Sequence, residues 1–97
     1  MYGVVNRLTF TDPVDGGLAA RLRDDAMPRI AAVGCRDAYV VQTGERELHL
    51  VLLFDDAATA DRVMHEVGSP WMREHVVGLL AGPTDRRTGE VVGSLAD

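Results

Sequence analysis

An asparagine within an apolar strand is the first residue of this chain that could take part in chemistry. Asn6 lies in the stretch YGVVNRLTF, where strand alternation places it on one face with Val4 and Leu8. A buried amide needs hydrogen-bond partners, because leaving it without them costs about 1–3 kcal/mol. Asn6 therefore either bonds to a neighbouring backbone group or a water, or faces a cavity and orients a bound molecule through its amide.

A second candidate group lies in GSPWMREHVVGLLAGP, residues 68–83, which contains the only tryptophan. Trp71 and His75 are four residues apart, so a helix places them on one face. Histidine titrates near neutrality as a residue type, which suits general acid–base chemistry. His75 is either a base in a cavity or an exposed or capping helix residue. Trp71 is either a cavity wall or a core or interface anchor, and Met72 is assigned to the same wall.

Tyr39 is a third candidate, because it lies in the predicted strand CRDAYVVQ and could be a cavity wall or a hydrogen-bond donor. Arg7 and His49 lie on the strand faces opposite Asn6, so we expect them to form paired charges in a dimer interface. The other polar candidates are assigned structural roles. Solvated or rim side chains are His65, Arg86 and Arg87; helix face or cap residues are Asp24, Asp25, Asp55 and Asp56; and Cys35 is a buried thiol.

Composition excludes several classes of function. The 97 residues carry a formal net charge of −5, so no basic stripe is expected to bind nucleic acid. Cys35 is the only cysteine, which excludes an intrachain disulfide and a CxxC metal site and fits a reducing cytoplasm. All ten basic residues are arginine, a bias that suggests a GC-rich bacterial genome. The longest apolar run, LVLLF, is too short to span a bilayer. The absence of P-loop, GxGxxG and GxSxG motifs gives no support to phosphate binding or acyl transfer.

Hydrophobic periodicity predicts an alternation of strands and helices. Strands are expected over residues 2–10, 35–42, 46–54 and 85–96, and helices over 18–34 and 57–67, with a further helix starting at residue 69.

Local signals set the predicted helix ends. Pro28 is expected to kink or interrupt the first helix, and Gly34 to cap its C-terminus. Asp55-Asp56 offers an N-cap to the second helix, Gly68 is expected to end it, and Ser69 to cap the next one.

The predicted order β–α–β–β–α–β is typical of a ferredoxin-like α+β fold, with a four-stranded antiparallel sheet and helices on one face. We expect residues 1–97 to form a single domain. Val5, Val51 and Leu53 would leave an apolar patch on the other face of the sheet. A second copy of the chain, packed sheet to sheet with twofold symmetry, is the simplest cover, so a homodimer is expected.

The sequence resembles the antibiotic biosynthesis monooxygenase superfamily. The resemblance lies in the strand opening VVNRLTF, the helix start SPWMREH and the closing GEVVGSLA, and it extends over nearly the whole chain. It implies a dimeric α/β barrel with a cavity between the sheet and the helices. Members of this superfamily oxidise polycyclic aromatic phenols with dioxygen and no metal or flavin, or bind and degrade haem, or have no established activity.

The haem-degrading branch of the superfamily has an Asn on the first strand, a Trp on the second helical part and a haem-ligating His on the next helix. Asn6 matches the first of these positions and His75 the third. The family's Trp position is occupied here by Glu66 or Val67, and Trp71 lies closer to the histidine.

These observations predict a small, cofactor-independent, cytoplasmic monooxygenase-like protein that acts on a hydrophobic or aromatic molecule. Asn6 would orient oxygen or a carbonyl, and His75 would be the base. The pocket walls would be Trp71, Met72 and Tyr39. Two alternatives stay open, a haem-binding or haem-degrading protein with His75 as axial ligand, and a non-enzymatic dimer that binds a small ligand. No metal, nucleic-acid or membrane partner is expected.

Overall fold

A computed structural model describes residues 1–95, in which four β-strands form one antiparallel sheet. The strands are β1 (Tyr2–Thr9), β2 (Asp37–Gly44), β3 (Glu47–Phe54) and β4 (Asp85–Glu90). They lie in the order β2-β3-β1-β4. The expected ferredoxin-like α+β fold is confirmed, because the second and fourth strands flank a central pair formed by the first and third.

Two helical arms pack on one face of this sheet. The first arm consists of α1 (Gly16–Arg21), a π-helical turn (Leu22–Ala26) and α2 (Met27–Ala31). The second arm consists of α3 (Ala57–Val63), a π-helical turn (Met64–Gly68) and α4 (Ser69–His75), and a 3₁₀ turn (Val77–Leu79) follows it. Within residues 1–95 no helix has the length and apolar character needed to cross a membrane.

The N-terminus of each arm is capped by an aspartate. The Asp15 side chain accepts a hydrogen bond from the Leu18 N–H at 2.7 Å. The Asp56 side chain accepts one from the Thr59 N–H at 2.8 Å, so the N-cap predicted at Asp55-Asp56 is confirmed.

Each arm passes through a π-helical turn. In the first arm this turn interrupts the α-helix directly before Pro28, and in the second arm the prediction that Gly68 ends a helix is wrong. The N–H of Met27 bonds to the C=O of Leu22, five residues back, so the helix reaches Pro28 through a widened turn and continues. In the second arm Gly68 and Ser69 both have helical dihedrals. Gly68 therefore does not end a helix, and Ser69 makes no side-chain cap.

The last strand is shorter than predicted. β4 ends at Glu90, which pairs with Tyr2, the first residue of β1, so β1 offers no partner beyond that point. Val92 lies outside the strand and is fully exposed. Ala96, the last residue of the predicted strand, lies outside the described residues.

The two faces of the sheet differ as the alternation in β1 predicts. Val4 and Leu8 are buried on the face that carries the helical arms. On the opposite face Val5, Tyr39 and Val41 are 38%, 51% and 46% exposed. The sheet therefore keeps an apolar patch on its helix-free side, at the place where the sequence predicts one.

The buried core is divided into two clusters. The first cluster is centred on Phe54 and Val63, and the second on Leu8 and Leu18. Each cluster contains residues of the sheet and of both arms, so both arms pack on the sheet in two places.

Gly34 supplies a backbone conformation that the first arm needs in order to end. Its φ is +131°, and a Cβ at this position would lie 2.9 Å from Cγ2 of Thr59. The following N–H, of Cys35, bonds back to the C=O of Ile30, which closes the arm as the predicted C-cap requires.

We expect Gly34→Ala to lower the free energy of unfolding by about 1–3 kcal/mol, because alanine rarely adopts this conformation. Urea denaturation measures the change. Gly78→Ala is the matched control, since a Cβ there meets nothing within 4 Å, and its effect should stay within about 0.5 kcal/mol. Equal stability of the two variants would show that the arm does not need this turn.

Candidate functional site

A cavity of about 240 Å³ lies between the sheet and the helical arms. Part of its floor is one row of residues across the sheet, in which Val40 pairs with Leu50, Leu50 with Asn6, and Asn6 with Arg86. Residues paired across neighbouring strands point to the same face, so these four side chains share the face that carries the arms. The strand register therefore places the amide and the guanidinium side by side.

The helical arms provide the walls, and both π-helical turns border the cavity. A π-helical turn adds a residue to the helical repeat, and such turns occur often at functional sites. The cavity also lies between the two core clusters, because residues of both line it. The apolar lining residues are Leu22, Ala26, Met27, Ile30, Val40, Leu50, Leu52, Met64, Val67, Trp71, Met72 and Val77.

Asn6 is the only buried polar residue in the described part of the chain, with 4% of its surface exposed. Its Oδ1 accepts a hydrogen bond from Nε of Arg86 at 3.0 Å. Because that oxygen faces a donor, the amide Nδ2 is left as a donor on a side chain that lines the cavity. The partner of the Asn6 oxygen is therefore a side chain, not the backbone group or water that the first expectation named. The residue borders a cavity, as the second expectation requires, and its role in orienting oxygen stays a prediction.

Trp71 is buried in the wall of the cavity, and its indole N–H is bonded to Asp25. Its indole Nε1 donates to Oδ2 of Asp25 at 2.9 Å, and Nε of Arg29 donates to Oδ1 of the same carboxylate at 2.7 Å. These two donors, the indole N–H first, keep the pKa of the Asp25 carboxyl below its ordinary value. The bond joins the first arm to the second across the roof of the cavity.

His75 does not line the cavity. Its ring packs on that of Trp71, with the ring centroids 4.5 Å apart and the planes inclined by 35°. Its Nε2 lies 3.9 Å from Oε2 of Glu74, an exposed carboxylate. The helix therefore brings Trp71 and His75 together as predicted, and His75 lies beside the tryptophan without bordering the space that a ligand would fill.

Of the two other predicted wall residues, Met72 and Tyr39, only Met72 lies on the cavity side of the sheet. Met72 lines the cavity. Tyr39 is placed elsewhere, because its partner in the sheet is Val51, and both side chains point to the helix-free face. Its hydroxyl donates to Oδ2 of Asp37 at 2.7 Å, and 51% of the residue is exposed. In this protomer Tyr39 is not part of the cavity wall.

Positive charge dominates the polar part of the cavity lining. Arg73 of α4 and Arg86 of β4 line the cavity, whereas no aspartate or glutamate within residues 1–95 does so. No group of three or more His, Cys, Asp or Glu side chains in that part of the chain could hold a metal ion. The site can therefore bind through apolar contact, one amide, two guanidinium groups and the hydroxyls of Ser69 and Thr84.

Sequence reasoning missed Arg86 and Asp25. Arg86 was assigned to a solvated or rim pair with Arg87, yet only Arg87 bonds to a nearby carboxylate at the surface, that of Asp85. Strand alternation could have identified Arg86, because the residue paired with Asn6 on the neighbouring strand points to the same face of the sheet as Asn6. Asp25 gave no such signal, because the contact with Trp71 joins residues 46 positions apart.

Known structures share this fold. SnoaB from Streptomyces nogalater, described as a cofactor-independent oxygenase, is 11% identical, with a TM-score of 0.77 over 99% of this chain and 97% of that one. A monooxygenase from the gene ActVA-Orf6 of Streptomyces coelicolor, in complex with Nanaomycin D, is 15% identical, with a TM-score of 0.78 over 97% and 89%. A dimeric ferredoxin-like protein from an uncultured marine organism is 13% identical, with a TM-score of 0.68 over 96% and 89%.

These similarities confirm the resemblance to antibiotic biosynthesis monooxygenase-like proteins at the level of the fold. No protein-family model matches the sequence, and no curated protein does.

The contact between Asp25 and Trp71 can be followed by fluorescence, because Trp71 is the only tryptophan. We expect Asp25→Ala to shift the emission of Trp71 to longer wavelength, since the indole N–H loses its acceptor and turns to water. Asp24→Ala is the matched control, because Asp24 is bonded only to Arg23 at the surface, and its emission should equal that of the wild type. An unchanged spectrum in Asp25→Ala would contradict the bridge between the arms.

The lowered pKa of Asp25 predicts how this signal depends on pH. The ionised Asp25 carboxylate stabilises the folded state through its bonds to Trp71 and Arg29. This stabilisation is fully present above the ordinary carboxyl pKa of about 3.9, and it is lost as the pH falls through the lower pKa of Asp25 in the folded state. Because the His75 ring packs on Trp71 and histidine as a residue type gains a proton near neutrality, the titration is made in a His75→Gln background. In that background we expect Trp71 emission to stay constant down to about pH 4 and to change only below it. A change well above that value, with intact far-UV circular dichroism, would contradict the assignment.

Proposed function

We propose that the protein is a small monooxygenase-like protein that binds a hydrophobic, aromatic molecule in the cavity and oxidises it with dioxygen, without a metal, flavin or haem. One observation carries the proposal: a cavity with mainly apolar walls has a buried amide, Asn6, in its floor. Apolar walls with a few placed polar groups are typical of sites for small molecules.

The chemistry requires an electron-rich substrate. A polycyclic phenol that loses a proton becomes a phenolate or carbanion, which passes an electron to dioxygen. In the complete reaction a ring CH₂ group becomes a carbonyl, one oxygen atom enters that carbonyl and the other leaves as water. The Nδ2 donor of Asn6 would stabilise the oxygen that becomes negative, and a donor placed in this way is worth about 10²–10³-fold in rate.

The proposal gives His75 no contact with substrate, because His75 does not line the cavity. Within residues 1–95 the lining has no imidazole or carboxylate, so the substrate would lose its proton to water at the cavity mouth. His75 instead supports the Trp71 ring from outside the cavity. The sequence predicts His75 as the base, whereas the proposal gives it a supporting role because its ring lies outside the cavity lining.

The fold comparisons support this chemistry without assigning it. SnoaB is described as a cofactor-independent oxygenase, and the ActVA-Orf6 protein as a monooxygenase bound to Nanaomycin D. Both structures share the fold over nearly the whole of this chain.

The residues present do not fit haem. A haem ligand must project into the haem cavity, and His75 packs on Trp71 outside the lining. The other two histidines are no better placed, since His49 bonds to Glu47 and lies on the opposite face of the sheet, and His65 is exposed on the second arm. No step of the proposed reaction therefore uses haem.

We also propose that the protein is a homodimer joined through the helix-free face of the sheet. Val5, Tyr39 and Val41 leave an exposed apolar patch there. Charged groups lie beside it, because Glu47 accepts from Nε of Arg7 at 3.1 Å and lies 3.3 Å from Nε2 of His49. A similar fold is described as dimeric in the marine ferredoxin-like protein.

The reaction is tested with anthrone as the probe, by following oxygen uptake and the formation of anthraquinone. We expect Asn6→Leu to lower turnover by about 10²–10³-fold, because the variant keeps the size of the side chain and removes the donor. His75→Ala should keep at least half of the wild-type rate. Loss of turnover in His75→Ala with normal turnover in Asn6→Leu would support the histidine base instead. Binding of anthrone without oxygen uptake would indicate a non-enzymatic binding protein.

The dimer is tested by light scattering after size exclusion. We expect Val5→Glu to convert the dimer to a monomer, because it places a charge in the patch, where the paired Arg87 tolerates it within one protomer. The control is Leu79→Glu, an equally drastic change at a residue that is 43% exposed outside the patch. A wild-type protein that runs as a monomer would contradict the proposed interface.

A further inference from the structure

The two arginines of the cavity lack carboxylate partners. Within residues 1–95, neither Arg73 nor Arg86 lies within 4.0 Å of an acidic oxygen, although the chain has 15 aspartates and glutamates. Most other arginines are paired in this way, namely Arg7, Arg23, Arg29, Arg36, Arg62 and Arg87. Four arginines have no such partner within residues 1–95, and two of the four, Arg73 and Arg86, line the cavity.

The distribution of negative charge reinforces this contrast. The chain carries a formal net charge of −5, yet no carboxylate of residues 1–95 lines the cavity. On charge alone, a protein of this composition repels anions from most of its surface. The cavity is an exception, since its walls are neutral except for the two guanidinium groups.

Arg86 is also held in place. Its Nε is bonded to Oδ1 of the buried Asn6, so the guanidinium is fixed at the edge of the floor with its two terminal nitrogens unused by any carboxylate. The same bond leaves Nδ2 of Asn6 as a donor on a side chain that lines the cavity. One interaction thus prepares two neighbouring groups to donate hydrogen bonds to an anion.

We propose that the cavity selects molecules that carry an oxyanion, a carboxylate or phenolate, on an apolar aromatic body. The oxyanion binds to Arg86 and to Nδ2 of Asn6, Arg73 adds a second positive charge from α4, and the aromatic body lies against Trp71. This substrate class rests on the proposed function only in that a small molecule occupies the cavity. Ligand binding alone tests this substrate class, whether or not oxygen is consumed.

Binding is measured by calorimetry with three probes of one size. 2-Naphthoate carries a carboxylate, 2-naphthamide is its neutral counterpart, and 2-naphthol is compared below and above its phenolic pKa. We expect the wild type to bind naphthoate about 10-fold to 100-fold more tightly than naphthamide, which is the range for hydrogen bonds to a charged group. The preference should weaken as salt is added.

The two naphthyl anions identify the source of the oxyanion. A preference for naphthoate alone indicates a carboxylate, and tighter binding of naphthol above its pKa alone indicates a phenolate. Either result supports an oxyanion site.

Three variants separate the site from the overall charge of the protein. Arg86→Gln should abolish the preference for the anion, and Arg73→Gln should reduce it. Arg21→Gln removes an arginine that is exposed on α1, outside the cavity and without a carboxylate partner in residues 1–95, so it should leave the preference unchanged. Circular dichroism of each variant verifies that the fold is intact.

Several results would overturn the inference. One is the absence of any anion preference in the wild type, with naphthoate bound no more tightly than naphthamide and naphthol bound no more tightly above its phenolic pKa than below it. The others are an unchanged anion preference in Arg86→Gln, or the same loss in Arg21→Gln as in Arg86→Gln. If the anion preference is found and anthrone is not oxidised, the monooxygenase proposal fails while the oxyanion site is supported.

Discussion

The hydrogen bond between Asn6 and Arg86 is the interaction on which the arrangement of the site depends. A buried amide in the middle of β1 needs a partner, and only a residue on the same face of a neighbouring strand can reach it. All six residues of β4 are exposed, so no hydrophobic pattern sets the register of this edge strand. A slip of one residue would turn Arg86 to the other face and leave Asn6 without this bond. The bond therefore favours the observed register and forms the polar corner of the cavity.

The roof of the cavity depends on a second polar contact of the same kind. The two helical arms are anchored to the sheet by separate apolar clusters, with the cavity between them. Over the cavity they cannot gain stability from packing on the sheet. The bond from the Trp71 indole to Asp25 joins the arms there, and the His75 ring packs on the tryptophan. Both π-helical turns border the same space, so the irregular parts of the arms coincide with the site.

The sequence predicts the fold well, because strand alternation and helical spacing are local patterns. The faces of β1, the N-cap at Asp56 and the turn at Gly34 all follow from short stretches of residues. The π-helical turns were not predicted, since Pro28 and Gly68 are ordinary signals of a break and only tertiary packing decides that the helix continues. In the site, Asn6 and Trp71 could be found as polar or aromatic residues in apolar surroundings. Tyr39 was placed in the cavity because a strand residue can face either side, and only register and burial decide which.

A cavity of this size is difficult to explain as a defect of packing. An enclosed, dry cavity destabilises a protein by about 24 cal/mol per Å³, which for about 240 Å³ is on the order of 5 kcal/mol. This cavity opens to solvent, so its cost is smaller. The whole stability of a small domain is about 5–15 kcal/mol. A larger side chain at Ala26 would fill part of this space, and this position belongs to the lining. A lining that combines apolar walls with an oriented amide and two arginines without carboxylate partners in residues 1–95 is suited to a ligand that packs on the walls and carries negative charge.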